Sequence, residues 1–178
     1  CSLPVEKNIF EGILNQKLPI IQNSLAKVSD NNLTTTVSSH QTNMPNSSLD
    51  YFFFDPPFGA NINYSELNFL NESWMKVFTN TKNEAIENSV QNKALIDYRN
   101  LISECFREAY RILKPGRWMT VEFSNTKAAV WNSIQTALAE AGFIVANVSA
   151  LDKQQGSFKA VTTPTAVKQD LVISAYKP

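Results

Sequence analysis

The sequence predicts an α/β domain: a mostly parallel sheet with helices on both faces and an antiparallel strand pair at its C-terminal end. Three observations carry this. Short apolar or β-branched runs alternate with amphipathic helical stretches through the middle of the chain, as in strand–helix–strand units. The last two strand-like runs have no helix between them, which suits an antiparallel hairpin at a sheet edge. One apolar run, Leu49 to Phe54, stops at Asp55-Pro56-Pro57-Phe58, a stiff turn where open α/β sheets place their ligands.

Residues 1–32 read as a helical lead-in, with Ile20, Ile21, Leu25 and Val28 in a candidate helix from Leu18 to Val28. Residues 33–178 read as the domain proper. The β-branched run Leu33 to Val37 predicts a strand, and the polar, turn-rich stretch Ser38 to Ser48 a loop. Leu49 to Phe54 predicts a buried strand. Beyond the tetrapeptide, Gly59 to Glu66 leads into a helix capped at Ser65, with Leu67, Leu70, Trp74 and Phe78 on one face. Thr79 to Lys93 is charged and Asn-rich, and is expected to be mobile.

A long amphipathic helix follows, with Leu95, Tyr98, Ile102, Cys105, Phe106, Ala109 and Leu113 at helical spacing. Lys114-Pro115-Gly116 stops it. Arg117 to Phe123 predicts a strand, and Ser124-Asn125 the cap of a helix bearing Trp131, Ile134, Leu138 and Ala141. Gly142 ends that helix. Phe143 to Val148 and Asp170 to Tyr176 are the closing strands, joined by a loop containing Lys153, Gly156 and Lys159.

Composition excludes several classes. With 43% hydrophobic and 18% charged residues the chain is ordinary for a soluble domain. Its 16 basic residues balance 16 acidic ones, so a nucleic-acid partner requires basic groups clustered locally or supplied elsewhere. No apolar stretch approaches the roughly 20 residues of a membrane span, and no signal peptide is evident, so no membrane partner and a cytoplasmic location are expected. Cys1 and Cys105 are too few for a disulfide framework or zinc cluster. Cys105 reads as a core thiol. His40 has no Cys or acid at ligand spacing, so no metal is expected. The start at Cys1 and the end at Tyr176-Lys177-Pro178 suggest a piece of a longer protein.

The tetrapeptide carries the chemistry. Pro56 and Pro57 cannot donate ladder hydrogen bonds and fix their own φ, and each pushes the preceding residue into extended conformation. Asp55 and Phe58 are thus held at fixed angles, presenting a carboxylate and an aromatic face.

The arrangement resembles the catalytic half of S-adenosylmethionine-dependent DNA amino-methyltransferases. That family carries [DNS]-P-P-[YFW] at the end of its fourth strand, and Asp55-Pro56-Pro57-Phe58 matches in full. Lys114-Pro115-Gly116 resembles the turn before its fifth strand, and the closing strands its sixth-and-seventh hairpin; the match covers roughly residues 33–176. The resemblance implies a partial Rossmann-like methyltransferase fold, S-adenosyl-L-methionine as cofactor and DNA as partner. It makes Asp55, Pro56, Pro57 and Phe58 catalytic, with Asp55 also beside the cofactor. Phe58, Asn61, Asn63, Tyr64 and Lys159 become substrate contacts. Ser124, Asn125 and Lys153 are secondary candidates. An acid at the first position implies adenine N6, in a restriction-modification or mobile-element setting. Other planar amines (an RNA base or a protein glutamine) and an inactive interaction module are the alternatives.

The family's Gly-rich cofactor turn has no counterpart at Gly12, Gly59, Gly116, Gly142 or Gly156, and the ribose-binding acid is also absent. Both are therefore expected outside the chain. The remainder of the polypeptide or a separate recognition domain is the implied partner.

Overall fold

The computed structural model describes residues 9–27, 33, 37–125, 127–152 and 169–178. Most of the strand expected at Leu33–Val37 lies outside these residues, as do Lys153, Gly156 and Lys159. Two compact units divide the chain, Cys1–Thr36 and Val37–Pro178. In the first, α1 (Ile9–Glu11), a π-helical segment (Gly12–Lys17) and α2 (Leu18–Leu25) follow one another. The π segment ends just before Pro19, whose ring crowds the preceding turn and whose nitrogen donates no bond.

The second unit holds a four-stranded sheet in the order β1-β2-β4-β3. Its strands are β1 (Leu49–Phe54), β2 (Leu113–Phe123), β3 (Ile144–Asp152) and β4 (Gln169–Tyr176). β1 runs parallel to β2, with Phe52 opposite Met119 and Phe54 opposite Val121. β4 enters between β2 and β3, antiparallel to both. The α/β class and the antiparallel C-terminal pair are as expected. The described sheet is mixed rather than mostly parallel, because the last strand takes an interior position and leaves β3 at the edge.

The helices of this unit are α3 (Tyr64–Met75), α4 (Leu95–Ile112) and α5 (Ala128–Glu140). α4 and α5 share one face of the sheet. Alternate β2 residues Met119, Val121 and Phe123 point into a core with Tyr98, Ile102 and Phe106 of α4 and Val130, Ile134 and Leu138 of α5. The period of two along β2 meets two helical stripes of period 3.6, which places the core between the sheet and these helices.

Several expectations change. Among the described residues β1 is an edge strand rather than a buried one: β2 alone of these pairs with it, and Tyr51 and Phe53 are more than half exposed. α3 begins one residue before Ser65, with Asn63 as N-cap. The Ser65 amide and hydroxyl instead donate to the Glu84 carboxylate, at 2.9 and 2.6 Å. Leu67, Leu70 and Trp74 are exposed rather than packed. Phe78 lies past the helix end, which Lys76 terminates with φ 56°. The segment from Thr79 to Lys93 is tied down: Ile86 is buried, Asn88 and Lys93 form a backbone bridge, and the Asn88 amide donates to Glu66. β2 begins at Leu113, because the Gly116 amide, at φ 70°, donates to the Lys177 carbonyl and keeps Lys114-Pro115-Gly116 within the sheet. The N-cap of α5 is Lys127.

Candidate active site

β1 delivers the tetrapeptide to the carboxyl end of the parallel pair. Asp55 is exposed there, Pro56 is buried, and Pro57 and Phe58 are half-buried. Prolines at 56 and 57 remove two amide donors, so the turn is held through its carbonyls. The Tyr98 hydroxyl of α4 donates to the Pro57 carbonyl at 2.7 Å. The Asn125 amide, just past β2, donates to the Phe58 carbonyl at 2.8 Å. The Glu87 backbone N–H donates to the Gly59 carbonyl at 3.3 Å. Neither the Asp55 carboxylate nor the Pro56 carbonyl has a partner among the described residues.

Gly59 is required where it stands. Its φ is +69°, and a Cβ there would meet Glu87 Oε1 at 2.8 Å and Val130 Cγ1 at 3.3 Å. The backbone passes closely between the 79–93 segment and α5, which only glycine permits.

The Phe58 ring packs edge-on against Phe123 at 5.3 Å between centroids, and Phe123 in turn stacks on Trp131. The carboxyl-terminal aromatic is therefore anchored from the core side. Burial raises the Tyr64 hydroxyl above its ordinary pKa, and the Asp55 charge adds to this, so Tyr64 lies within the field of the carboxylate. Asn63 buries its Oδ1 with no hydrogen-bond partner among the described residues, and Asn61 is exposed on the same turn. Ser124 is half-buried. Lys159 lies outside the described residues.

Two residues take larger parts than their sequence context indicates. Tyr98 reads in the sequence as one more apolar position on α4, and Asn125 as a helix cap. Asn125 Oδ1 does accept from the Lys127 amide at 2.7 Å, closing a turn ahead of α5, while its other end holds Phe58. His40, isolated in the sequence, lines a cleft of about 470 Å³ together with Ser38, Asp55, Pro56, Ile102 and Cys105. His40 Nδ1 shares a hydrogen bond of 2.6 Å with Ser38 Oγ. Cys105 is half-buried; burial, with Glu104 adding, pushes its thiol up to about 11.

No family model matches the chain, and no curated protein matches it. Solved structures do. Geranyl diphosphate C-methyltransferase from Streptomyces coelicolor A3(2) is similar with a TM-score of 0.51 at 9% identity, over 89% of this chain and 58% of that one. A candidate DNA modification methylase from Thermus thermophilus gives 0.47 at 14% identity, over 80% and 52%. An S-adenosylmethionine-dependent methyltransferase from Mesorhizobium loti gives 0.45 at 11%, over 90% and 76%. The chain spans about half the length of the first structures it matches (47%, 52% and 50%). The fold is that of S-adenosylmethionine-dependent methyltransferases.

The cleft sets apolar walls from Ile102 and Cys105 beside the Asp55 carboxylate. No described glycine stands in a Gly-rich turn after a strand.

Proposed function

We propose that this chain carries the substrate half of an S-adenosylmethionine-dependent methyltransferase acting on the exocyclic amine of a flipped DNA base, with adenine N6 as the target. One observation carries the reading. Asp55 and Pro56 offer two adjacent acceptors without partners among the described residues, while the three carbonyls that follow are held. Two adjacent acceptors suit the two N–H bonds of an amino group.

An exocyclic amine is a poor nucleophile because its lone pair is delocalised into the ring. Hydrogen bonds from its N–H groups to the Asp55 carboxylate and the Pro56 carbonyl favour a tetrahedral nitrogen and turn the lone pair outward. Bound S-adenosylmethionine supplies an electrophilic methyl group. Asp55 accepts the proton that the nitrogen sheds once alkylation makes it acidic. Phe58 offers its ring to the base, a contact worth about 1–3 kcal/mol, against a flipping cost of a few kcal/mol. In this reading Asn61, Asn63 and Tyr64 are contacts to the substrate, and Lys159 is a contact to a phosphate.

The Gly-rich turn and the basic surface come, in this reading, from a further part of the protein or a separate recognition domain, because the chain is neutral overall. A restriction-modification or mobile-element context fits that division of labour. Methyl transfer to duplex DNA by the full-length protein tests the reading. Asp55→Ala is expected to lower the rate by roughly a hundredfold or more, in line with the sensitivity of such reactions to alignment. An Asp55→Ala protein as active as wild type contradicts it.

A further inference from the structure

The carbonyls of Pro57, Phe58 and Gly59 are held from three separate places: α4, the end of β2 and the 79–93 segment. A turn with two prolines cannot fix its own orientation through amide donors. Its angle relative to the sheet is set by whatever grips its carbonyls. We propose that Tyr98 and Asn125 are positioning residues for methyl transfer. Holding the Pro57 and Phe58 carbonyls, they fix the direction in which the Pro56 carbonyl and Asp55 carboxylate, immediately upstream, meet the amine. This rests on the reading of Asp55 and Pro56 as the amine's acceptors.

Each residue is suited to the task. The Tyr98 ring is fully buried in the core, so its hydroxyl has one approach to the turn. Burial also raises its pKa well above the ordinary value, with Glu87 adding and the Gly59 backbone opposing, so it stays a proton donor. Asn125 joins the turn to the start of α5, because its two amide ends bond the Phe58 carbonyl and the Lys127 amide. Phe58 is braced a second time, through its ring, against Phe123. The turn is thus held on both sides and along its backbone. A side chain serving stability alone could lose its polar atom without changing the rate per folded molecule; a positioning residue could not.

Steady-state kinetics of methyl transfer to duplex DNA by the full-length protein separate these cases. Tyr98→Phe keeps the ring and removes one hydrogen bond; Asn125→Ala opens the other grip at a partly exposed site that leaves the core intact. Each variant is expected to lower kcat roughly ten- to hundredfold, the scale of a small misalignment, with KM for DNA unchanged and thermal midpoint little moved. Wild-type kcat in either variant, or a loss matching only the unfolded fraction at the assay temperature, overturns the proposal. If the wild-type protein transfers no methyl group to DNA, or Asp55→Ala retains the rate, the underlying reading falls and this proposal with it.

Discussion

Thr42 and Glu108, 66 positions apart, are joined twice: the Thr42 amide and hydroxyl both donate to Glu108 Oε1, at 2.7 and 2.6 Å. Arg111 completes the arrangement with bonds to both carboxylate oxygens at 2.7 and 2.8 Å. The loop before β1 is thereby fastened to α4, the helix that also carries Tyr98.

This pairing predicts a pH dependence of stability. The Arg111 guanidinium, with help from Thr42, holds the Glu108 carboxyl down at about 2 from its ordinary 4.5. A depressed carboxylate stabilises the fold above its unfolded pKa and loses that contribution as pH falls through the folded one. Glu108→Gln is expected to be less stable than wild type at neutral pH, with the gap closing between about pH 4.5 and 2. Denaturant titrations at several pH values check this; a gap independent of pH counts against it.

Gly59 and Gly116 both have positive φ, +69° and +70°, but only Gly59 is crowded, with open space around a Cβ at Gly116. Alanine at either position is expected to cost about 1–3 kcal/mol for the backbone conformation. Gly59→Ala is expected to cost more, because its Cβ would press on Val130 Cγ1 at 3.3 Å and push the Glu87 carboxylate aside. Equal losses in denaturant titrations would remove the argument that the turn is closely packed.

Local chemistry was legible in the sequence, and long-range approach was not. Two prolines after an apolar strand define a stiff turn wherever they occur, so Asp55-Pro56-Pro57-Phe58 stood out. The spacing of Tyr98, Ile102 and Phe106 marked α4 and its buried face. That the Tyr98 hydroxyl would reach Pro57, 41 positions earlier, depends on how α4 crosses the end of β1, which no local pattern encodes. The apolar stripe Leu67, Leu70, Trp74 on α3 shows the same limit. Periodicity identifies which face is apolar, not what covers it, and these residues stand exposed. β4 likewise reads as a strand, but its entry between β2 and β3 comes from pairing across the whole domain.

Residues 1–178 alone are expected to bind S-adenosylmethionine more weakly than micromolar, since no described glycine stands in a Gly-rich turn after a strand. Isothermal titration calorimetry measures this directly. A micromolar dissociation constant would show that a nucleoside cradle is present in the chain itself.

The most direct measurement is the chemical identity of the product. Full-length protein is incubated with duplex DNA and methyl-deuterated S-adenosylmethionine, and the DNA is digested to nucleosides for mass spectrometry. Deuterated N6-methyladenine is expected from the wild-type protein, and roughly a hundredfold less or lower still from Asp55→Ala at equal time. Label in N4-methylcytosine, in RNA or protein instead, or equal label from both proteins, would contradict this expectation.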